Sequence, residues 1–344
     1  MRGVLVEDWT TFDQLELHEL DNPQLPDDGV IIKVQAAGVS FATSLVVQGK
    51  YQRKPPLPFT PGTEIAGVVE QLGANASRFQ IGDRVCAVLD WGGLAEAAGA
   101  REVNVYRIPD SLEFPRAIVF TNSYATSAAA LLWPHLLHLQ AGEILLVHGA
   151  SGGVGIAAVE IGKILGATVI ATAGSEEKLA TATEHGADFA INYRTDNFRD
   201  AVLDITSGRG ANKVYDPVGG EVFMQSLRCM APEGRIMPVG FAGGEVPQIP
   251  ANHLLVKNLT VCGLNLGLYF GWGKEDLRDH YEQRMRTHMD QLFAWFEQGK
   301  INPVVAKTYA LDDYKQAMDD VLQRRAIGRV AIVMDDALRR LSVT

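Results

Sequence analysis

The chain of 344 residues is poor in cysteine, in blocks of basic residues and in long uncharged apolar stretches. Its three cysteines, Cys86, Cys229 and Cys262, are far apart and odd in number, which fits neither a disulfide framework nor a clustered zinc site. We expect each to be a small buried apolar residue. The net charge of −10 argues against a nucleic-acid partner, because binding a phosphate backbone needs a basic surface.

The first twenty residues are acidic and hold no signal-peptide core, and no apolar run has the length of a membrane span. The hydrophobic content of 47% with scattered charge is typical of a globular chain with a large core. We therefore expect a soluble, cytoplasmic protein of two domains with no membrane partner.

The most informative motif is a glycine-rich turn, residues 149–155, which follows the apolar run Ile144–Val147 and opens a helical pattern. The strict G-x-G-x-x-G spacing is missing because Ala150 stands at its first position, although three glycines follow a G-x-x-G-x-x-G spacing. Such a turn lets the backbone approach a pyrophosphate, and the next helix offers amide donors and a partial positive charge. An ordinary strand-to-helix turn is the alternative. We expect these residues to bind a dinucleotide: Ser151, Gly152, Gly153, Val154 and Gly155.

Regular alternation of short apolar runs with helical patterns continues after the turn. Strands are predicted at 168–172, 189–193, 213–215, 235–240 and 259–263, and helices at 156–165, 197–205 and 222–230. Strands that alternate with helices predict an α/β fold with a doubly wound parallel sheet.

An acidic residue about twenty positions past the glycines, which usually holds the ribose 2′-hydroxyl of NAD, is also missing. Ala173 and Gly174 stand there, Ser175 offers a hydroxyl, and Lys178 brings a cation one turn into the next helix. The pattern predicts a preference for NADPH. The two glutamates at 176–177 oppose it unless they point to solvent, and an ordinary surface position for Lys178 is the alternative.

The first part of the chain has a different texture. Short β-rich runs at 30–34, 67–69 and 84–88 are separated by turns with proline and glycine, which predicts a partly antiparallel, barrel-like domain. Four prolines at 55–61 interrupt regular structure, so residues 51–64 are expected to form an irregular loop.

Several motifs together resemble the medium-chain dehydrogenase/reductase superfamily, and its zinc-free quinone oxidoreductase branch in particular. Apart from the glycine-rich turn, they are Gly38-Val39-Ser40, Gly49-Lys50-Tyr51, the stretch from Leu57 to Gly67, Gly82-Asp83-Arg84-Val85 and the stretch from Gly328 to Ile332. The resemblance implies a GroES-like catalytic domain formed by residues 1–121 and 267–344. It places a Rossmann domain that binds NADP(H) at residues 122–266.

Zinc-dependent members of that superfamily carry a cysteine and a histidine at the positions that Ser40 and Thr63 resemble. Without them Glu64 cannot form a catalytic zinc site, which takes three protein ligands, so no metal is expected. Many quinone reductases carry asparagine and aspartate where this chain resembles them at Ser40 and Thr43, and this departure leaves the substrate open.

The resemblance also implies residue roles around the cofactor. The 2′-phosphate would be surrounded by Gly174, Ser175, Lys178 and Tyr193. Thr126 would lie near the nicotinamide, Arg329 would contact the pyrophosphate, and the nicotinamide ribose would be lined by Val239, Gly240 and Phe241. Plain core positions for Val239 and Phe241, and a solvated edge charge for Arg329, are the alternatives.

Without a metal or an evident acid–base pair, we expect the cofactor to carry the chemistry, by hydride transfer to a quinone whose conjugation spreads the developing charge. Ser40, Tyr51 and Thr126 are the candidate hydrogen-bond donors to the substrate oxygen, and Tyr51 also a proton relay. Packing of Tyr51 against prolines is the alternative.

Two other functions remain open. One is reduction of activated double bonds in enones, enals or enoyl-CoA thioesters, for which Arg53 and Lys54 are candidate partners of the CoA phosphates. The other is a non-enzymatic, NADPH-binding structural or regulatory role, because fold does not determine function.

The run Leu259–Leu268 is predicted to form an edge strand with Cys262, Leu264, Leu266 and Leu268 on one alternating face. An edge strand invites pairing across a two-fold axis. Together with the resemblance, it predicts a homodimer.

Overall fold

The computed structural model describes residues 1–334. The strands of this part, in chain order, are β1 (Arg2–Leu5), β2 (Glu16–Glu19), β3 (Gly29–Val39), β4 (Glu64–Leu72), β5 (Arg84–Val88), β6 (Ala97–Arg101), β7 (Val105–Arg107), β8 (Ile144–Val147), β9 (Thr168–Ala173), β10 (Phe189–Asn192), β11 (Ala211–Asp216), β12 (Met230–Pro238), β13 (Thr260–Val261), β14 (Val305–Ala310) and β15 (Arg329–Val333). The α-helices are α1 (Phe41–Val47), α2 (Phe114–Val119), α3 (Ala125–Leu132), α4 (Gly153–Ile164), α5 (Glu176–Glu184), α6 (Phe198–Ile205), α7 (Gly220–Arg228), α8 (Ala251–Lys257), α9 (Arg278–Glu297) and α10 (Tyr314–Leu322).

One unit of the fold contains residues 123–266 and 298–302. Its six strands pair in the parallel order β10-β9-β8-β11-β12-β13. This is the doubly wound order in which the direction of winding reverses between the first and fourth strands of the unit. The reversal leaves a crevice at the carboxyl ends of β8 and β11, which is where the glycine-rich turn begins.

The other unit contains residues 1–122, 267–297 and the described chain from Pro303 onward. Its larger sheet runs β14-β15-β3-β4-β5-β7, with β6 also paired to β3, and only the β14–β15 pair is parallel. Strands β1 and β2 form a separate antiparallel pair. The predicted fold class is confirmed: a GroES-like β-rich part accompanies a Rossmann-type parallel sheet.

The unit boundaries fall at 122/123 and 266/267, beside the predicted 121/122 and 266/267. The segment Gln298–Asn302 returns to the Rossmann-type unit, which the sequence did not indicate. Residues 335–344 of the predicted catalytic domain lie outside the described residues. The assignment of catalysis to one domain and cofactor binding to the other stays a prediction.

The predicted edge strand over Leu259–Leu268 is wrong in length. Only Thr260–Val261 pair with β12 at the sheet edge, and Leu266–Phe270 form a 3₁₀ helix. Leu266, Tyr269 and Phe270 of that helix are buried, so their hydrophobicity serves packing of the turn and not a continued strand.

The three cysteines are free and buried, as predicted. Burial raises the pKa of each thiol.

Within residues 1–334, no helix has the length and apolar character that crossing a membrane requires.

Candidate functional site

The glycine-rich turn brings two stretches of backbone together without side chains between them. Gly149 has a φ of +55°, and a Cβ on Gly155 would lie 2.2 Å from the carbonyl oxygen of Gly149. Gly152 is the N-cap of α4, whose first-turn amides have no acceptor within the helix. The turn therefore presents backbone N–H groups and the positive end of a twelve-residue helix at the crevice.

Loops that follow β11 and β12 meet at the same sheet edge. The amides of Ala242 and Gly243 donate to the carbonyls of Pro217 and Val218, at 3.0 and 2.8 Å. This contact holds the predicted ribose-lining residues just past the end of β12. The strand ends at Pro238, two residues before the predicted end at Gly240. Of the three, Phe241 is exposed, while Val239 and Gly240 are half-buried.

Gly219 shows how close these two loops are. Its φ is +76°, and a Cβ there would lie 2.9 Å from Cδ1 of Phe241. The preceding carboxylate, Asp216, is fully buried, and its Oδ1 accepts from the amides of Val218 and Gly219. Asp216 thus shapes the loop after β11, a role that sequence reasoning missed.

The predicted 2′-phosphate residues come together at the carboxyl ends of β9 and β10. A Cβ on Gly174 would lie 2.6 Å from Oη of Tyr193 and 3.2 Å from Nε of Arg194. Ser175 caps α5 and accepts from the amide of Lys178 at 3.4 Å. A larger residue at position 174 would therefore have to displace the tyrosine ring beside it.

Two features at this place extend the prediction. Arg194 was missed, although it directly follows Tyr193 in the sequence and adds a second cation. Glu176 and Glu177 are both exposed, and Glu176 accepts a hydrogen bond from Nδ2 of Asn192 at 2.8 Å. The two glutamates thus meet the condition under which they are compatible with a bound phosphate.

Thr126 lies in the first turn of α3 and is half-buried, between the fully buried Ala125 and Ser127. A π-helical turn, Phe120–Tyr124, immediately precedes α3. Such turns are rare and are frequent at functional sites. Thr126 thus lies at the start of a largely buried helix of the Rossmann-type unit.

Ser40 and Arg329 lie at one end of the larger sheet, because Val39 pairs with Val330. Ser40 is the N-cap of α1 and forms a capping box with Thr43, whose Oγ1 lies 3.1 Å from the Ser40 hydroxyl. The hydroxyl of Ser40 therefore also stabilises α1.

Arg329 forms a salt bridge with the buried Glu64, whose carboxylate also accepts from Nδ2 of Asn122. A Cβ on Gly38 would lie 2.7 Å from Oε2 of Glu64, so a larger residue there would have to displace the buried carboxylate. Nε of Arg329 is buried and has no partner among the described residues. The guanidinium is thus anchored by Glu64 and keeps one donor for another acceptor.

Tyr51 lies in the predicted irregular loop, which extends to the start of β4 at Glu64. Burial raises the pKa of its phenol, and the negative charge of Glu64 raises this pKa further. Tyr51 is consequently neutral at physiological pH, which makes it a hydrogen-bond donor but a weak acid.

Arg53, one of the two candidate CoA partners, is committed to the protein itself. Its Nη2 lies 2.7 Å from Oδ1 of Asp90, and its guanidinium stacks 5.5 Å from the ring centre of Trp91. Asp90 also pairs with Arg278 at 3.0 Å. The geometry does not support Arg53 as a CoA-phosphate partner.

His148 lies directly under the glycine-rich turn and is fully buried. Ser226 donates to the carbonyl of Val222, so it accepts from Nε2–H of His148 at 2.8 Å. Nδ1 then accepts from the hydroxyl of Thr172 at 2.9 Å. Burial lowers the pKa of His148, and the neutral tautomer satisfies both partners.

In the part of the chain that the structure describes, no group of three or more histidine, cysteine, aspartate or glutamate side chains could hold a metal ion. Ser40 and Thr63, the positions at which the resemblance implies cysteine and histidine in zinc-dependent relatives, supply neither thiolate nor imidazole.

The fold and the site define a two-unit protein with a Rossmann-type nucleotide crevice. Two family models match it: the alcohol dehydrogenase GroES-like domain over residues 26–110 and the zinc-binding dehydrogenase over residues 153–284. The chain is 41% identical to the quinone oxidoreductase-like protein 2 homolog of Nematostella vectensis over 306 residues, 88% of this chain and 81% of that protein. It is 32% identical to the quinone oxidoreductase of Homo sapiens over 97% of this chain and 98% of that protein.

Among solved structures, the quinone oxidoreductase of Escherichia coli complexed with NADPH is similar with a TM-score of 0.87. It is 25% identical and covers 97% of this chain and 100% of that chain. The protein belongs to the medium-chain dehydrogenase/reductase superfamily, in its quinone oxidoreductase-like branch, and so to a family of oxidoreductases.

The buried His148 predicts a specific pH dependence of stability. Its pKa in the folded protein lies below the ordinary value of 6.5, so below pH 6.5 the unfolded chain binds more protons than the folded protein. Stability should fall as the pH drops through this range, by up to about 1.4 kcal/mol per pH unit from this residue. The urea midpoint of His148→Gln should not show this part of the decrease at low pH.

His280→Gln is the matched control, because His280 is exposed. It should keep the wild-type pH dependence. An unchanged pH slope in His148→Gln would show that this histidine does not remain neutral in the folded protein.

Proposed function

We propose that the protein is an NADPH-dependent oxidoreductase that transfers a hydride to a quinone without zinc. The observation that carries the proposal is the group formed by Gly174, Ser175, Lys178, Tyr193 and Arg194. These residues lie at or just after the carboxyl ends of β9 and β10 and include two cationic side chains and two hydroxyl groups, while Ala173 and Gly174 stand where an NAD site uses a carboxylate.

The geometry of the glycine-rich turn fits a dinucleotide cofactor. A side chain on Gly155 would fill the close approach of α4 to Gly149, and the first-turn amides from Gly153 to Gly155 are available for a pyrophosphate. The buried donor at Nε of Arg329 supports its predicted role as a partner of an anionic group. The NADPH in the E. coli structure supports the same cofactor here.

When bound, NADPH supplies the hydride. The protein's own contribution is to bind, orient and donate hydrogen bonds. Thr126 is proposed to contact the nicotinamide, with Val239, Gly240 and Phe241 along its ribose. Ser40 and the neutral phenol of Tyr51 are proposed to donate to the substrate oxygen.

A quinone suits this set of groups because it is already electrophilic and needs no Lewis acid. The raised pKa of Tyr51 favours hydrogen-bond donation over release of a proton, so Tyr51 is proposed chiefly as a donor. Serine and threonine in the place of zinc ligands support zinc independence. The names of the relatives support the quinone as acceptor.

Reduction of activated double bonds in enones or enals is the second candidate, because it needs the same hydride and the same donors. Enoyl-CoA is disfavoured, since Arg53 is held by Asp90 and Trp91. A non-enzymatic NADPH-binding role predicts the same binding without turnover.

Replacement of Lys178 by alanine tests the cofactor assignment. A hydrogen bond to a charged group contributes about 1.5 to 3 kcal/mol, so Lys178→Ala should weaken NADPH binding about ten- to a hundredfold and leave NADH binding nearly unchanged. Titration of nucleotide fluorescence measures both constants. Lys163→Ala is the matched control, because the Nζ of Lys163 is held by Asp188 at 2.7 Å. Equal losses for both nucleotides in Lys178→Ala would contradict the assignment.

Replacement of Tyr51 by phenylalanine tests the substrate donor. Loss of a hydrogen bond to developing charge should lower kcat for quinone reduction by about tenfold or more, with little change in the affinity for NADPH. Tyr106→Phe is the control, because that buried hydroxyl has no partner among the described residues. It should keep wild-type kcat. Full turnover by Tyr51→Phe with every acceptor would remove Tyr51 from the mechanism.

We propose that a second copy of the chain pairs at the β13 edge. The helix just before it, α8, has no buried residue, and its Leu255 and Val256 are 79% and 77% exposed. Light scattering should give the mass of two chains. The double variant Leu255→Glu/Val256→Glu should give one, whereas Ile81→Glu, also at an exposed apolar residue, should stay dimeric. A wild-type mass of one chain would contradict the homodimer.

A further inference from the structure

Ser127, the residue after Thr126, donates one hydrogen bond and accepts another. Its Oγ lies 2.8 Å from the carbonyl oxygen of Val154 and 2.8 Å from the hydroxyl of Tyr215. A serine has one hydroxyl hydrogen and a carbonyl only accepts, so Ser127 donates to Val154 and accepts from Tyr215. All three groups are fixed, because Ser127 and Tyr215 are fully buried and Val154 lies in the first turn of α4.

A second bond joins the π-helical turn that precedes α3 to α4. The hydroxyl of Tyr124 donates to Oε2 of the buried Glu160, at 2.6 Å, halfway along α4. Glu160 has two further partners, Nδ1 of His185 at 2.6 Å and the backbone amide of Asn302 at 3.0 Å. Side chains on both sides of Thr126 thus bind α4, one at its glycine-rich beginning and one in its middle.

The two bonds have different geometric consequences. Tyr124 reaches a side chain that other groups also hold, so its loss leaves Glu160 partnered. Ser127 reaches the backbone of the turn itself, one residue from Gly155. It therefore connects the helix that carries Thr126 directly to the turn that is proposed to hold the pyrophosphate.

We propose that Ser127 is a positioning residue that fixes Thr126 relative to the turn of residues 152–155, so that the contact to the nicotinamide and the anchor of the pyrophosphate move as one body. The proposal rests on the proposed function, because it takes Thr126 as the nicotinamide contact. Ser127 itself is buried and needs no contact with the ligand.

The chain offers a matched pair of variants. Ser127→Ala removes both hydrogen bonds, whereas Tyr215→Phe removes only the bond to β11 and leaves the bond from Ser127 to Val154. Each deletes one buried hydroxyl, so both should lower the urea midpoint. Of the two variants, only Ser127→Ala removes the hydrogen bond between α3 and the turn.

The first measurement is hydrogen–deuterium exchange of the protein without nucleotide. We expect Ser127→Ala to speed exchange of the amides in residues 125–128 and 153–156 together by about tenfold or more, and Tyr215→Phe to leave both segments within about twofold of wild type. Equal acceleration in the two variants, or acceleration in neither, would overturn the proposal.

The second measurement is the rate of hydride transfer in a single turnover, with the Kd for NADPH. Misplacement of a reactant contact should slow transfer about ten- to a hundredfold in Ser127→Ala while the Kd changes less than about threefold. Tyr215→Phe should transfer at the wild-type rate. Transfer at the wild-type rate in Ser127→Ala would contradict the proposal.

The two measurements separate this inference from the proposed function. If the wild-type protein oxidised NADPH with none of the acceptors tested, the proposed function would be refuted, while the exchange data would still decide whether Ser127 joins α3 to the turn.

Discussion

The structure of the nucleotide crevice depends on the approach of Gly155 to the carbonyl oxygen of Gly149. A methyl group at position 155 would lie 2.2 Å from that oxygen, so α4 begins directly against the turn only because glycine stands there. The approach brings the carbonyl of Val154 within reach of Ser127 on α3. The turn also covers His148, a buried residue whose neutral imidazole is hydrogen-bonded to Thr172 and Ser226. The turn proposed to hold the pyrophosphate, the helix that carries the proposed nicotinamide contact and the buried His148 are therefore parts of one packing arrangement.

Charge is used differently in the two units. In the β-rich unit, Arg329 and Glu64 are buried together with Asn122, and a pair of this kind is stable only while all its partners remain. In the Rossmann-type unit, the group around Gly174 has its cations at the sheet edge and its glutamates exposed to solvent. The first arrangement orients a side chain, and the second leaves charge accessible to an anionic ligand. Both agree with an oxidoreductase whose cofactor carries the reactive hydride.

Local patterns in the sequence were sufficient to predict much of this fold. The bounds of β5 and β8 are the predicted ones, because each is a short apolar run between turn residues. The glycine spacing and the small residues at 173–174 likewise identified the turn and the place of the proposed phosphate group. The prediction of an edge strand over Leu259–Leu268 was wrong because alternating apolar residues are equally compatible with a buried 3₁₀ turn.

Other parts of the site depend on contacts that no local pattern contains. Glu64 and Arg329 are 265 positions apart, and Ser127 meets Tyr215 across 88 positions. The function of Ser127 as a link follows only from the direction of its hydrogen bonds. Arg194 could have been found, since a cation after the tyrosine at the end of a strand points to the same sheet edge as the glycine-rich turn.

The most direct test of the central claim is the oxidation of NADPH and of NADH by the purified protein with a quinone, an enone, an enoyl-CoA and no acceptor. We expect the protein to consume NADPH with the quinone, and to do so much faster than NADH. Tight binding of NADPH with no turnover on any acceptor, or faster oxidation of NADH, would contradict the proposed function.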